Sequence, residues 1–382
     1  MTIDYDIAII GAGPSGCACA LALQGKGLKV ALIDKTVYPR DKICGDTIPG
    51  SSFKAIDSIN RNWGNQMKEF TDKMDITTSS VYLSKNKAIS YKWLSYSYNS
   101  KRIDFDNFLF QLVRKETDTI IFENKRLQKI TTELNYSHCK FQDGFSIKAA
   151  MVVGCDGANS VVKRQVINCD IKESNSFAAI RAYYKGIEGI KMGENEFHLI
   201  KEVDGYFWIF PLKDEWANVG FGVFKKGKKK KKSPNDIRKT LQEITNSPAF
   251  VNRFKNATLM GNVNGFGLPI WTKKRPICGD RFVLCGDAAS LIDPLQGHGI
   301  DKAIWSGVIA AKQIVNCFKE DNFSADFMKQ YETMLYNKFG RELSRNYFVM
   351  RILLRFPFLN NIIFKLCSHQ WVTNWIIHKM KV

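Results

Sequence analysis

The chain has 382 residues, enough to bury the cores of two domains, and its 45% hydrophobic and 24% charged residues are ordinary for a folded globular protein. No apolar run reaches the roughly 18 residues of a membrane-spanning helix, so no such helix is predicted. Ten cysteines without a C-x-x-C pair argue against a zinc site or a redox dithiol. We therefore expect no bound metal and a reducing, cytoplasmic compartment.

A net charge of +19 favours an anionic partner, and the distribution of the charge narrows the choice. The lysine-rich run at 225–232 is typical of a solvated loop, so nucleic acid is the least favoured partner. From Lys338 onward lysines and arginines recur between bulky aromatic residues, while Glu342 is the single acid. Two interpretations of this basic end stay open: a helical segment packed on the core, or a surface for peripheral contact with an anionic membrane.

The N-terminal stretch 6–34 predicts a dinucleotide-binding βαβ unit. A short apolar strand leads without a gap into Gly11-x-Gly13-x-x-Gly16 and a helix of small residues, and a second strand ends in Asp34. The glycines permit a tight turn, a close approach of the backbone to a pyrophosphate, and close packing of the helix on the strand, while the acid can accept ribose hydroxyls. The predicted cofactor-binding residues of this unit are Gly11, Gly13, Pro14, Ser15, Gly16, Asp34 and Lys35.

A loop rich in glycine and proline follows the second strand, at 38–50. Cys44, Gly45 and Asp46 lie in this loop, with an arginine and a lysine nearby. Ligands of open α/β sheets bind at the carboxyl ends of the strands, where this loop begins. The three residues are therefore candidate catalytic residues, although a plain crossover would also explain the loop.

Alternating polar and apolar residues in two stretches, the larger at 177–223, predict a second domain built on an antiparallel sheet. Because side chains alternate across a strand, Tyr206, Trp208 and Phe210 point to one face. We expect these three residues to line an apolar substrate tunnel. A glycine-rich strand at 261–270 is predicted to return to the first domain.

Two further buried strands end in an acid beside a glycine, at Asp156-Gly157 and at Gly286-Asp287. For the first pair, a strand–turn–helix with a capping aspartate is the alternative. After the second pair, glycines on both sides of His298 precede a long helix, where backbone amides can bind an anion or an electron-rich ring edge. His298 itself needs no catalytic role for this. The predicted cofactor-binding residues that follow this strand are Gly286, Asp287, Pro294, Gly297, Gly299 and Ile300.

With these three glycine and acid sites in this order, the chain resembles the flavoprotein superfamily of aromatic hydroxylases, flavin-dependent halogenases and geranylgeranyl reductases. The resemblance implies FAD as the cofactor. Arg102, with Asp106 and Leu109, is similar to the family's R-x-x-x-D-x-x-L helix start, where the arginine reaches the cofactor. The same resemblance implies positions near the ribityl and pyrophosphate for Asp287, near the flavin ring for Gly299 and Ile300, and against adenine for the backbone of Leu127.

Two stretches favour the geranylgeranyl reductase branch. Residues 42–46, Lys-Ile-Cys-Gly-Asp, resemble that branch's cysteine loop beside the flavin, and residues 206–211 resemble its Y-x-W-x-F-P signature in the substrate sheet. Halogenases carry W-x-W-x-I-P, from which Tyr206 and Phe210 depart. In this interpretation Cys44 is a proton donor, a residue that gates the flavin, or a small residue packed on the ring.

The resemblance implies an α/β fold with a discontinuous, Rossmann-like FAD-binding domain, a second antiparallel-sheet substrate domain and a helical C-terminus. We expect residues 1–72, 99–165 and 272–320 in the first domain, 73–98 and 166–271 in the second, and 321–382 in the helical segment.

The implied activity is that of an FAD-dependent oxidoreductase that reduces carbon–carbon double bonds of a prenyl lipid or a related apolar substrate by hydride transfer. An external donor, NAD(P)H or a small redox protein, is expected to reduce FAD, because no second nucleotide fold is visible. A flavin monooxygenase acting on an aromatic or polyketide substrate and a halogenase are the alternatives. We expect a cytoplasmic enzyme whose basic end contacts a membrane surface.

Overall fold

The computed structural model describes residues 2–84, 87–167, 177–199, 205–224, 234–356 and 358–367. The lysine-rich run at 225–232 and the part of the basic end at 368–382 lie outside these described residues. The strands are β1 (Tyr5–Ile10), β2 (Val30–Ile33), β3 (Thr47–Ile48), β4 (Met74–Ser84), β5 (Lys87–Asn99), β6 (Ile120–Phe122), β7 (Leu127–Thr132), β8 (Ser137–Phe141), β9 (Ser146–Gly154), β10 (Phe177–Lys185), β11 (Glu194–His198), β12 (Gly205–Pro211), β13 (Trp216–Phe224), β14 (Thr258–Leu268), β15 (Cys278–Gly279) and β16 (Phe282–Leu284). The helices are α1 (Pro14–Leu23), α2 (Gly50–Asp57), α3 (Arg61–Glu69), α4 (Arg102–Glu116), α5 (Val161–Val166), α6 (Pro234–Thr245), α7 (Val251–Phe254), α8 (Ile300–Lys319), α9 (Ala325–Arg355) and α10 (Phe358–Cys367).

The first sheet brings the three predicted strand ends to one edge. Its order is β15-β16-β9-β1-β2-β6, with β8 joined to β9 and β7 to β8. The central pairs are parallel, and in their register Ile10 lies beside Ile33 and Gly154, while Gly154 lies beside Leu284. The residues that follow β1, β2, β9 and β16 therefore meet at the carboxyl edge, where open α/β sheets bind ligands.

The second sheet is larger than the four strands predicted for its main part. Its order is β14-β10-β13-β12-β11-β4-β5-β3, and every neighbouring pair is antiparallel except β11 with β4. It takes the short strand β3 from within the range 1–72. The glycine-rich strand at 261–270 is part of β14, which pairs along its length with β10 and places Leu268 beside Phe177, so it lies in the second sheet before the chain returns to the first.

The C-terminal helices close the first domain. In α9, Tyr331 is fully buried and its hydroxyl donates to the carbonyl of Leu284, the last residue of β16. Asn346, further along α9, is also buried and donates to Asp293 in the loop before α8. Helix α9 therefore packs against the glycine-containing loop before α8 and stabilises it. Among the described helices, none is long and apolar enough to cross a lipid bilayer.

Close packing of α8 on α1 depends on Gly307. A Cβ atom at this position would lie 2.2 Å from the backbone oxygen of Ser15 and 3.0 Å from the backbone nitrogen of Cys19. Ser15 belongs to the first turn of α1, directly after the predicted pyrophosphate-binding glycine. The helix that ends the first domain is thus packed against the turn that begins it.

Gly307→Ala should destabilise the protein by about 1–3 kcal/mol, because the added methyl must displace the backbone of α1. Gly340→Ala is the matched control, since a Cβ atom at that position in α9 meets Tyr336 Cβ only at 3.5 Å. Replacing a helical glycine by alanine without a clash stabilises by about 0.5–1 kcal/mol. Thermal unfolding of both variants measures the difference, and equal midpoints would contradict the packing described here.

Candidate functional site

The glycine turn between β1 and α1 leaves room for a ligand at one glycine only. Gly11 has a φ of +105°, and a Cβ atom there would lie 2.3 Å from the carbonyl oxygen of Cys155. A Cβ atom at Gly16 would lie 1.9 Å from the carbonyl oxygen of Gly11. At Gly13, by contrast, the nearest atom is the guanidinium Nη2 of Arg40 at 3.5 Å. Gly11 and Gly16 are required by the fold, because a side chain at either position would clash with the backbone. Gly13 faces a space that is bordered by the Arg40 guanidinium.

Asp34 lies after β2 and contacts the same turn. Its Oδ2 accepts the backbone N–H of Ala12 at 2.7 Å, and its Oδ1 accepts the N–H of Thr36 at 2.9 Å. Each oxygen of a carboxylate can accept more than one hydrogen bond, so these contacts orient the acid and leave it able to accept ribose hydroxyls. The neighbouring Lys35 is exposed.

Asp106 in α4 binds two arginines deep in the protein. Arg102 Nε and Nη2 donate to its two carboxylate oxygens at 2.6 and 2.7 Å, and Arg40 Nη1 donates to Oδ2 at 2.6 Å. Burial would raise the pKa of Asp106, but the two guanidinium groups hold it below its usual value. Burial likewise opposes the charge of Arg102, yet Asp106 and the Cys44 thiol raise its pKa well above the usual value. This arrangement is the predicted R-x-x-x-D pair, with Arg40 added.

The loop that contains Cys44 is held by ion pairs to three other parts of the chain. Besides the Arg40–Asp106 pair, Lys42 Nζ lies 2.9 Å from Oδ2 of Asp287, at the end of the third site. Arg181 of β10 donates to the exposed carboxylate of Asp41 at 2.7 Å. Successive loop residues, from Arg40 to Lys42, therefore bind α4, the second sheet and the Gly286-Asp287 strand end.

Asp46 ends this loop in a buried hydrogen-bond network. Its backbone has a φ of +67°, and its Oδ2 accepts the hydroxyl of Tyr183 and the side-chain amide of Asn218, both at 2.7 Å. Asn218 also donates to the Cys44 carbonyl at 2.8 Å. Burial raises the pKa of Asp46 to about 6, although Arg181, Tyr183 and Asn218 act in the opposite direction. A carboxyl group with this pKa can hold a proton near neutral pH.

The aromatic residues of β12 form a wall above the same loop. Tyr206 and Trp208 have ring centroids 5.9 Å apart, and those of Trp208 and Phe210 are 6.1 Å apart, so the three side chains share one face. Phe197 of β11 packs edge-on against Tyr206 and Phe210. A Cβ atom at Gly45 would lie 3.2 Å from the Phe210 ring. The wall and the loop are therefore in contact.

The Asp156-Gly157 strand end has a structural role. Asp156 Oδ2 accepts the backbone N–H groups of Val161 and Val162, so this acid caps α5, as the alternative reading of the sequence proposed. Its Oδ1 is buried and has no hydrogen-bond partner within the described part of the chain, and burial raises the pKa of Asp156. Gly157 has a φ of +79° with open space beside it. Asp156 Oδ1 is therefore available to accept a hydrogen bond from a ligand, and the space at Gly157 could hold part of it.

The glycine-containing loop before α8 is shaped by Asp293. Its Oδ1 accepts the N–H groups of Leu295 and Gln296, both at 2.9 Å, and its Oδ2 accepts Asn346 of α9 at 2.7 Å. His298 lies 3.1 Å from Asp301 and 2.6 Å from the Gln296 side chain through its two ring nitrogens. The imidazole thus stabilises the loop, as the sequence indicated.

Tyr206 connects this loop to the aromatic wall. Its hydroxyl donates to the Gln296 carbonyl at 3.2 Å and lies 2.7 Å from the position of a Cβ atom at Gly297. Pro294 is buried, Gly299 precedes the first turn of α8, and Ile300 begins that helix. Leu127, buried at the start of β7, has no described contact with the loop.

These observations fit a dinucleotide with a pyrophosphate. The space over Gly13 is bordered by Arg40, and the acid at Asp34 follows β2. The buried Oδ1 of Asp156 finds no hydrogen-bond partner in the residues that the structure describes. Sequence reasoning noted Arg40 only as a residue near Cys44, and it missed Phe197 and the partners of Asp46. Strand alternation could have placed Tyr183 and Asn218 on the face of Phe210, but their contact with the loop has no local signal. Among the described residues, no group of three or more histidine, cysteine or acidic side chains could hold a metal ion.

Comparison with known proteins agrees with the cofactor that the geometry fits. A family model described as an FAD binding domain matches residues 4–334, most of the chain. A digeranylgeranylglycerophospholipid reductase of Methanocella arvoryzae is 25% identical over 93% of this chain and 88% of its own. A 1H-pyrrole-2-carbonyl-[peptidyl-carrier protein] brominase of Pseudoalteromonas luteoviolacea is 26% identical over 85% of this chain and 80% of its own.

The fold also occurs in solved structures. A geranylgeranyl bacteriochlorophyll reductase-like protein from Thermoplasma acidophilum superposes with a TM-score of 0.75 and 22% sequence identity, covering 92% of this chain and 87% of that protein. At this identity the likeness concerns the fold. It confirms the predicted α/β class with a second, largely antiparallel sheet and C-terminal helices.

Arg40→Gln should weaken FAD binding about 10- to 100-fold, because a charged hydrogen bond is worth about 1.5–3 kcal/mol and the substitution removes the cation beside Gly13. Asp106 keeps its two bonds from Arg102 in this variant. Arg114→Gln, on the exposed side of α4 where Arg114 pairs with Glu123, is the control and should bind FAD normally. Fluorescence titration of the apoprotein with FAD measures both affinities, and equal affinities would contradict a phosphate-binding role for Arg40.

Proposed function

Because this chain belongs to the FAD-binding domain family and is an FAD-dependent oxidoreductase, we propose that it saturates carbon–carbon double bonds of a prenyl lipid. The observation that carries the proposal is the aromatic wall of Tyr206, Trp208 and Phe210, which contacts the Cys44–Asp46 loop. An apolar wall of this kind suits a flexible hydrocarbon chain. The names of several relatives, which are prenyl-lipid reductases, support the same substrate class.

FAD, once reduced, supplies a hydride. The residues of this chain would hold it through the glycine turn and Arg40 at the pyrophosphate and through Asp34 at a ribose. An isolated alkene develops no oxyanion for the protein to stabilise, so orientation and exclusion of water must supply most of the rate enhancement. The aromatic wall serves both purposes, since three rings of one strand lie along one apolar surface.

We expect an external electron donor, either NAD(P)H or a small redox protein. In the described part of the chain, the glycine turn followed by an acid, at Gly11 to Asp34, is the site that fits FAD. A donor would therefore bind transiently rather than in a second permanent nucleotide site.

Under anaerobic conditions, the dithionite-reduced protein should add two hydrogens to each reduced double bond of a prenyl lipid, as measured by mass spectrometry of the extracted lipid. Trp208→Ala should lower turnover about 10-fold or more, because the wall loses its central ring and its indole N–H bond to Asn218. Val37→Ala, at an exposed apolar residue outside the wall, is the control and should turn over normally.

Substrate-dependent oxygen consumption with no anaerobic product would contradict the reductase proposal. That outcome would favour a monooxygenase, or a halogenase if halide were also required. The similarity to a brominase is the observation that supports the halogenase alternative. The departures of Tyr206 and Phe210 from the halogenase signature argue for the reductase.

We further propose that the end of α9 and α10 contact an anionic membrane in which the lipid substrate lies. Phe348 and Phe358 are 65% and 60% exposed, and Phe358, Ile362 and Leu366 recur every four residues, so they share one face of α10. Basic residues recur along the same segment. The exposed ones among the described residues include Arg351, Arg355 and Lys365.

Vesicles with anionic phospholipids should sediment the protein, with binding that weakens as salt rises and is lost on purely zwitterionic vesicles. The double variant Phe358→Ser with Leu366→Ser should lower vesicle affinity about 10-fold, because two large apolar side chains leave the interface. Leu134→Ser, at an 88% exposed leucine of the β7–β8 hairpin outside α9 and α10, should have no effect. Equal binding by all three proteins would contradict the proposed surface.

A further inference from the structure

The loop residue Asp46 lies between the first domain and the aromatic wall. Its backbone carbonyl accepts the N–H of Ser100, just before α4, and its side chain is bound by Tyr183 of β10 and Asn218 of β13. In the second sheet, Asn218 is paired with Tyr183 on one side and with Phe210 on the other. The carboxyl group is therefore one strand away from the wall and on the same face of the sheet.

The hydrogen bonds determine which oxygen of Asp46 can carry a proton. Asn218 must orient its amide nitrogen towards Asp46, because its Oδ1 accepts the indole N–H of Trp208 at 2.9 Å and its nitrogen donates to the Cys44 carbonyl. Both donors to Asp46, this nitrogen and the Tyr183 hydroxyl, bind Oδ2. A proton on the neutral acid must then sit on Oδ1, which is buried and has no hydrogen-bond partner among the described residues.

The charges around Asp46 stabilise the carboxylate that forms when the proton leaves. The titratable and charged groups that act on it are Arg181 and Tyr183 on β10 and Lys101 and Arg102 at the start of α4, while β13 contributes the neutral Asn218. On its own loop, Asp41 pairs with Arg181 and Cys44 interacts with Arg102. The cations outnumber the acid Asp41, so an ionised Asp46 is stabilised without being exposed. Burial raises its pKa to about 6, which keeps a fraction of the group protonated near neutral pH.

We propose that Asp46 is the acid that protonates the alkene, an inference that rests on the proposed reductase function. The alkene takes a hydride from the reduced cofactor at one carbon and the Oδ1 proton of Asp46 at the other. Two electrons leave the cofactor, the double bond becomes a single bond, and Asp46 becomes a carboxylate held by Tyr183 and Asn218. A proton from solvent then restores the acid.

Cys44 is the rival proton donor on the same loop. Its thiol interacts with the Arg102 guanidinium, a group with donors only, so the sulfur is the acceptor in that contact. The sulfur therefore faces a buried cation. The carboxyl group of Asp46, with one oxygen free of donors, is the better source of a proton.

The test is the rate at which a prenyl lipid reoxidises the reduced holoenzyme, followed anaerobically by stopped-flow absorption. Asp46→Asn keeps the shape, and asparagine tolerates the positive φ of this position, so the variant should fold and bind FAD normally. It cannot donate a proton. We expect reoxidation to slow by about 10²-fold or more, the usual contribution of a general acid, with unchanged reduction by dithionite.

The pH profile distinguishes proton donation from a structural role. In the wild type, the rate should be highest below the pKa of Asp46 and fall as pH rises through it, and this limb should vanish in Asp46→Asn. Tyr183→Phe removes a hydrogen bond that lowers this pKa, so its limb should move to higher pH. Infrared difference spectra of the holoenzyme, recorded without substrate, should show a carboxyl group titrating near pH 6 that is absent in Asp46→Asn.

The outcomes separate the two proposals. A wild type that leaves prenyl lipids unchanged would overturn the reductase function and this inference with it. An active wild type with an equally fast Asp46→Asn variant would overturn only the role of Asp46. An active Asp46→Asn variant beside a Cys44→Ala variant that loses the pH-dependent limb would assign the proton to Cys44 instead.

Discussion

The structure depends most on the buried carboxylate of Asp106. It binds Arg102 of its own helix and Arg40 of the loop after the first βαβ unit, and it is itself fully buried, so water cannot replace a lost partner. Removing one partner of such a buried pair typically costs about 3–5 kcal/mol, because the other charge is left uncompensated. The pair brings Arg40 to Gly13 and fixes the start of the loop that leads to Cys44. Asp106 thus helps to position both the cofactor-binding residues at Gly13 and the loop that contains Cys44.

The other end of the loop, at Asp46, is held by hydrogen bonds to the second sheet. Asn218 connects Trp208 of the aromatic wall, the Cys44 carbonyl and the Asp46 side chain through three hydrogen bonds. A change in the position of the wall is therefore transmitted to the acid and to the cysteine. The Tyr206 hydroxyl makes a similar connection to the glycine-containing loop before α8. The aromatic residues do more than exclude water, because they position the polar groups beside which a substrate would lie.

Local patterns made the first domain and the glycine turn predictable, since Gly11 to Asp34 is one contiguous unit with a specific geometry. The same patterns could not separate a cofactor contact from a helix cap at Asp156, because both place an acid after a buried strand. They gave no sign that β14 pairs with β10, since a glycine-rich strand carries no signal for its partner. The partners of Asp46 lie 137 and 172 positions away along the chain, so only the folded structure joins them.

The central claim is that an apolar chain on the aromatic wall lies against the bound cofactor at the Cys44–Asp46 loop. The absorption spectrum of the oxidised flavin responds to the polarity around its ring, so titration of the FAD-loaded protein with a prenyl lipid tests this claim most directly. We predict a saturable spectral change in the wild type that weakens markedly in Phe210→Ala, whose ring contacts Gly45. A lipid that binds without changing the flavin spectrum, or a change that Phe210→Ala leaves intact, would contradict the account.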